Sequence, residues 1–405
     1  MTCSNPSNDD FNQSVSAVVD VLKKLDAEDR TLLHEKQVID IGSEVRSTLA
    51  SPTDFPPLSA AIVSGDQVAI ALDSSLPSVD RLLSTLVDEL SANDCGKIDI
   101  VLGGESSDRE RTELQSLLGE RAELHLHQTT QRASFRYLGP DVEGDPVYIN
   151  RWLVDADLVI PVATKRPLNH SKGSKSDVTG IYPTFTDAEA RKRNHLSRTK
   201  ADEDYPESIE QDLEAMTGTA EEPAWLLGVQ LIISVTPNQN GEIAEIDCGS
   251  IESQRRKMIE PSSADLCDFF TAFIDGNPSQ HTWMNVARAA ESAAEYTNPG
   301  GTIVIWSSVA EQTTESADLE AGLKEPSEET GGEEDFEPWD ENLVPFERLE
   351  AICEDYQVIL RSRLPIESVE KTGLGSIESP EEVERLAMAF PRRGFLRAAQ
   401  YHAHS

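Results

Sequence analysis

The residue types best suited to chemistry in this chain gather between Lys165 and His195. Ser171, Lys172, Gly173, Ser174 and Lys175 form a small cationic loop, and Asn194 and His195 follow it. A lysine amine can bond covalently to an electrophilic group, and a neutral imidazole such as that of His195 suits zinc, copper, iron or nickel. His170 is a candidate proton carrier, because histidine changes charge near neutral pH. Asp73 and Glu105 each fall just after an expected strand, where a site carboxylate would sit, although Asp there is equally a turn or cap residue. His125 and His127 share one strand face at a spacing two metal ligands could use, or form an ordinary polar face; the sequence identifies no carboxylate partner for them. The Gly-Ser-Lys-Ser run also resembles a phosphate loop, but the position five before Gly173 is Leu168 where such a loop needs glycine.

These residues need a scaffold, and the flanking pattern supplies one. Gln67 to Asp73 and Lys97 to Gly104 read as strands, each followed by an amphipathic helix. Ala122 to Gln128 alternates, Arg136 to Tyr148 is hairpin-like, and Asp155 to Ala163 is a continuous apolar run of the kind found in a buried parallel strand. Strands alternating with helices predict a parallel α/β sheet with ligands at its carboxyl ends. Those ends coincide with Asp73, with Gly103 to Ser107 and with Thr164 to Lys175. Farther on, a hairpin turns at Asn238 to Gly241. A second α/β unit then reads as a helix over Ser263 to Gly276, a helix over Thr282 to Thr297 and a buried strand after Gly300.

Length and charge bound the rest. At 405 residues the chain exceeds what one core usually serves, so two domains are expected. The boundaries read as a disordered start over 1–12, an N-terminal α/β domain over 13–262, a C-terminal α/β domain over 263–395 and a tail over 396–405. Residues 311–341 carry thirteen acids against the single Lys324, which reads as a solvated loop or a contact for a basic partner. A net charge of −38 repels nucleic acid and anionic membranes. An anionic small molecule therefore needs a local cationic pocket, and Lys165, Arg166, Lys172, Lys175, Arg191, Lys192 and Arg193 are the residues that could build one. Five scattered cysteines without a Cys-x-x-Cys spacing, together with a polar start and no long apolar run, read as a cytoplasmic protein.

The run GDPVYINRWLVDADLVIPVA, Gly144 to Ala163, resembles the signature of the nickel-pincer lactate racemase family. The resemblance extends from about Gln67 to Gly301 and includes the hairpin block from Pro223 and the helix-to-strand block from Asn285. It implies two α/β domains with parallel-rich sheets and an active site in the cleft between them. It also implies a nickel-pincer nucleotide, a pyridinium thioacid mononucleotide carrying nickel. Lys175 falls on the lysine that bonds this cofactor, within Lys172, Gly173 and Ser174, and His195 falls on the nickel ligand. The activity implied is racemisation or epimerisation of a small-molecule 2-hydroxy acid by hydride transfer at its α-carbon.

Several positions depart from the family pattern. The Asp-x-Thr-Arg motif appears as Asp73, Ser74, Ser75 and Leu76, and Gly-Thr-His-Arg appears as Gly104, Glu105, Ser106 and Ser107. The second proton-moving His falls near Lys165, the nearest histidine being His170, and a helix lysine falls on Arg288. The sequence thus leaves two functions open: an isomerase on a 2-hydroxy acid other than lactate, or an inactive member serving as a binding module.

Overall fold

The computed structural model describes residues 8–31, 37–103, 108–129, 131–141, 144–166, 177–199, 222–257, 265–310 and 340–402. Glu105, His170, Lys172, Gly173, Ser174, Lys175 and most of the acidic run 311–341 lie outside the described residues. The chain divides into two compact units, one formed by Glu35–Asn238 with Glu242–Pro261 and the other by Met1–His34, Gln239–Gly241 and Ser262–Ala403. The second unit thus includes the first described elements, helix α1 (Asn8–Lys24) and strand β1 (Glu28–Asp29).

In the N-terminal unit, α2 (Ile41–Ala50) and the short α3 (Leu58–Ala61) precede strand β2 (Val68–Asp73), whose residues are buried up to Leu72. Helix α4 (Val79–Ala92) turns Leu82, Leu83, Leu86, Val87 and Leu90 onto the sheet, the helical spacing expected of one buried face. Each such side chain contributes roughly 1.5–3 kcal/mol by leaving water. Next come β3 (Ile98–Gly103), α5 (Asp108–Leu118) and β4 (Glu123–Leu126). An antiparallel ribbon of β5 (Phe135–Pro140) and β6 (Pro146–Asn150) leads through α6 (Arg151–Val154) to β7 (Leu158–Thr164). After α7 (Ala188–Thr199), strands β8 (Ile232–Pro237) and β9 (Ile243–Gly249) finish the sheet. Its order is β4-β3-β2-β7-β8-β9, parallel except for the β8–β9 hairpin.

The C-terminal unit holds β10 (Cys267–Phe273), α8 (Trp283–Ala294), β11 (Thr297–Trp306), α9 (Val344–Asp355), β12 (Gln357–Arg361), β13 (Gly375–Ser376), α10 (Pro380–Ala387) and β14 (Arg393–Leu396). Its sheet runs β1-β14-β10-β11-β12-β13 and is parallel throughout. Ser263 to Gly276, expected as a helix, contains β10 instead. Phe269 and Phe273 pack on one face of the sheet while Phe270 and Ala272 pack with α8 on the other. A strand buried on both faces is apolar without a period, which is why its pattern passes for a helix.

Two boundaries also differ from expectation. Helix α1 begins at Asn8, inside the stretch read as disordered, and packs Phe11, Val15, Val18 and Leu22 against Phe269, Trp306 and Phe395 of the C-terminal unit. Its amphipathic spacing was readable, but periodicity does not say which sheet receives the apolar face. The expected tail is likewise integral. Ala398, Ala399 and Tyr401 are fully buried, and Asp275 accepts from Ala398 N at 2.7 Å and from the Arg397 guanidinium at 2.6 Å. Among the described residues no helix is long and apolar enough to cross a membrane.

Candidate active site at the carboxyl edge of the N-terminal sheet

Strand β2 ends on Asp73, whose carboxylate is committed to fixing the turn that follows. Oδ1 accepts from Ser75 N at 2.8 Å and from Ser75 Oγ at 2.7 Å, and Oδ2 accepts from Thr164 N at 3.2 Å. Because β2 and β7 are parallel neighbours, one carboxylate ties their two ends together. Into this turn comes the guanidinium of Arg166, two residues beyond the end of β7, whose Nη2 donates to Ser75 Oγ at 2.9 Å. Arg166 is only 7% exposed. Leu76, which falls where the family motif carries arginine, is 2% exposed and packs in the apolar core. A cation therefore reaches the turn after β2 from the end of the neighbouring strand.

Lys165 leaves the chain on the other side, as consecutive extended residues do. Its ammonium lies 3.9 Å from Asp247 Oδ2. Burial pulls its pKa below the ordinary lysine value, Asp247 and Glu245 oppose that, and Lys257 adds to it.

Residues 177–187 form a strap along the same edge. Asp177 anchors it, accepting from Thr179 N at 2.8 Å, from Thr179 Oγ1 at 2.6 Å and from Tyr182 N at 2.7 Å. Complete burial raises the pKa of this carboxyl to about 6, against the hydrogen bonds, which favour the charged form. The strap crosses the end of β3 so closely that a Cβ on Gly103 would stand 2.4 Å from Thr184 Cγ2 and 2.8 Å from Phe185 Cζ. Just past β4, His127 secures it, with Nε2 donating to Thr186 O at 2.9 Å and Nδ1 accepting from Asn150 Nδ2 at 3.1 Å. Burial, followed by the charge of Arg191, lowers the His127 pKa to about 4, so this imidazole stays neutral and structural.

The strap delivers the chain to α7, whose first turn is capped by Asp187 accepting from Ala190 N at 3.0 Å. Arg191 and His195 are four apart and share a face. His195 and Asn194 are each 7% exposed, so the Asn-His pair is buried.

The other described candidates belong to other elements. Arg288 belongs to the C-terminal unit, on α8, where its Nη1 donates to Asn285 Oδ1 at 3.0 Å. His125 and His127 do not act as a pair. His125 Nε2 lies 2.7 Å from Asp99 Oδ1, and its ring stacks on Trp152 at 4.1 Å. Asp99, Glu123 and His125 are close enough to share a cation, but Lys97 Nζ already bridges the two carboxylates at 2.9 and 2.8 Å. Their closeness was hidden in the sequence because it arises from the β3–β4 register, which sets Asp99 opposite Glu123. Asp99 lies four residues before the end of β3, roughly 13 Å from the edge at strand rise. A shallow cavity of about 590 Å³ beside Lys97, Gln115, Arg121 and Glu123 is on that remote side.

Comparison with known proteins agrees with this architecture. Residues 23–204 match the family described as Lactate racemase N-terminal domain. The fold is similar to that of the lactate racemase apoprotein from Thermoanaerobacterium thermosaccharolyticum, with a TM-score of 0.64 and 15% identity over 92% of this chain and 94% of that one. It is also similar to a protein from Thermotoga maritima, with a TM-score of 0.60 and 11% identity over 92% and 99% of the two chains. No curated protein matches in sequence. At such identities the structural likeness speaks for the fold, while the family match speaks for residues 23–204. Residues 23–204 are thus similar to the lactate racemase N-terminal domain family, and the chain has a lactate-racemase-like α/β fold.

Proposed function

We propose that this protein racemises or epimerises a small 2-hydroxy acid whose carboxylate is gripped by Arg166. The observation that carries the reading is the buried Arg166 guanidinium, held 2.9 Å from Ser75 Oγ in the turn where the family motif would place an arginine. A planar guanidinium offers two parallel N–H groups to a carboxylate and so fixes the orientation of the α-carbon.

The donor set is compatible with a nickel-pincer nucleotide on the side this chain describes. His195 is an imidazole of the kind nickel accepts, buried on a helix whose start is fixed by Asp187. His195 would ligate the metal, and Lys175, with Lys172, Gly173 and Ser174 around it, would hold the nucleotide. When bound, that group supplies an acceptor and donor of hydride at the substrate α-carbon. Lys165, with its lowered pKa, stands where the resemblance puts a proton-moving histidine and is suited to exchange the substrate hydroxyl proton, alongside His170 or Glu105. Asp73 serves by positioning Ser75 and Thr164, and Arg288 enters only as a further cation. We place the reaction in the cytoplasm, in keeping with four free cysteines among the described residues.

The test is to express the chain with cofactor-synthesis enzymes, measure nickel by elemental analysis, map any mass increment to Lys175, and follow loss of α-deuterium from a panel of 2-hydroxy acids. Nickel, a modified Lys175 and exchange are expected together. Absence of both nickel and modification would end this reading. A second reading, a catalytically inactive binding module, is favoured by one observation: Leu76 is sunk in the core. It predicts no exchange with any acid and a basic partner that is lost when residues 311–341 are deleted.

A further inference from the structure

The carboxylate of Asp247 sits between two lysines, one of which is the candidate proton carrier Lys165. Strand register explains why they meet. β7 pairs Ala163 with Ser234 of β8, and β8 pairs Ser234 with Asp247 of β9. Ala163, Ser234 and Asp247 thus form one row across the sheet, and Lys165, two residues past Ala163, faces the same way. Its own N–H fixes that position by donating to Val235 O at 2.7 Å.

The two oxygens of Asp247 have different partners. Oδ1 accepts from Lys257 Nζ at 2.8 Å, and Lys257 also donates to Thr53 Oγ1 at 3.3 Å. Thr53 is itself fixed along the end of β9, where its N–H donates to Cys248 O at 2.8 Å and its carbonyl accepts from Ser250 N at 3.1 Å. Lys257 is therefore a tied cation. Oδ2 faces Lys165 Nζ at 3.9 Å, close enough for an ion pair but beyond hydrogen-bond reach. No hydrogen bond ties Lys165 Nζ among the described residues, so its protons stay uncommitted although the side chain is only 11% exposed.

Charge then decides when Lys165 is protonated. Burial works against its ammonium first, Asp247 and Glu245 favour it, and Lys257 opposes it. A lysine must be neutral to take a hydroxyl proton and charged to return one, so its hold on the proton has to be poised between extremes. With Oδ1 occupied by Lys257, only half of the Asp247 carboxylate acts on Lys165. Without Asp247, burial and Lys257 together would keep the amine neutral.

We propose that Asp247 is the positioning residue for Lys165, holding its amine at the carboxyl edge and setting, in opposition to Lys257, when that amine carries a proton. The assignment rests on the reading of Lys165 as a group that exchanges the substrate hydroxyl proton. All four side chains belong to the N-terminal unit.

The test is an NMR titration of the full chain labelled with lysine carrying carbon-13 at Cε, the Lys165 signal being identified by its loss in Lys165→Met. Relative to wild type, the Lys165 midpoint should move to lower pH in Asp247→Asn and to higher pH in Lys257→Met. At a pH below the midpoint each change should alter the unprotonated fraction roughly tenfold, the weight of one nearby charge in a partly buried site. Lys257→Arg keeps the charge and should hold the wild-type midpoint. Glu245→Gln, at an exposed position of β9, should lower the midpoint by less and serves if Asp247→Asn does not fold. In the enzyme loaded with its cofactor, the pH dependence of kcat/KM for α-deuterium loss should shift in the same two directions, which a merely structural role would not cause. A midpoint unmoved by both charge-removing variants, or moved the same way by both, would overturn the proposal even if exchange occurs. Opposite midpoint shifts without exchange of any 2-hydroxy acid would instead overturn the racemase reading and leave the control of Lys165 by Asp247 standing.

Discussion

Replacing Arg166 by Gln deletes the guanidinium from the turn after β2 and leaves Ser75 Oγ without that donor. Charge-assisted contacts of this kind are worth about 1.5–3 kcal/mol, so kcat/KM for the 2-hydroxy acid should fall roughly 10- to 100-fold by the usual conversion. Arg166→Lys keeps the charge but loses the fork, and should recover only part of that loss in the same assay. Asp177 gives a second prediction, in stability. Its folded pKa of about 6 lies above the ordinary 3.8, so folding favours the protonated form. Its stabilisation is therefore full below pH 3.8 and is lost as pH rises through about 6, by on the order of 2–3 kcal/mol. Urea unfolding measured between pH 4 and pH 7 should show this slope in wild type and not in Asp177→Asn. Residues with local signatures were legible from sequence: the Asn194–His195 pair and Asp73 at a strand end. Arg166 stood out only as one of several cations, because its role depends on β7 finishing beside β2, a pairing of residues 91 apart.

Among the elements, the strap over residues 177–187 sets the direction from which α7 presents His195. Gly103→Ala tests that dependence. The added methyl meets Thr184 and Phe185 at well under van der Waals distance, so the strap or β3 must shift, at a cost of typically 1–3 kcal/mol. Thermal unfolding should register the loss, and activity should fall further than stability alone explains because α7 moves with the strap. Strands with polar flanks, such as β2, β3 and β7, could be read from their runs. The strand β10 could not, since burial on both faces removes the alternation that distinguishes strand from helix. The partnership of Asp99 with His125 was hidden for a related reason: register between two strands is not written in either one alone.

At the scale of the whole molecule, the two α/β units follow from length and from the alternation of strands and helices, but their membership does not. Helix α1 carries an apolar stripe that would suit either sheet, and it closes the face of the C-terminal one. Deleting residues 8–24 would uncover Phe269, Phe273, Trp306 and Phe395, which are otherwise buried. That variant should bind a hydrophobic dye and lose the cooperative unfolding of the C-terminal unit. The N-terminal unit should retain its own unfolding transition, so calorimetry of the variant should show a single peak where the intact chain shows two.

The placement of α1 also bears on how the protein is made. Its binding face on β10 is translated about 240 residues after the helix itself, a delay of roughly 10–50 s at ordinary rates of synthesis. Throughout that interval the apolar stripe of Phe11, Val15, Val18 and Leu22 has no sheet to cover it, while the N-terminal unit is free to fold on its own. A nascent chain of this design has reason to recruit a chaperone to its first helix and to release it only when β14 has emerged.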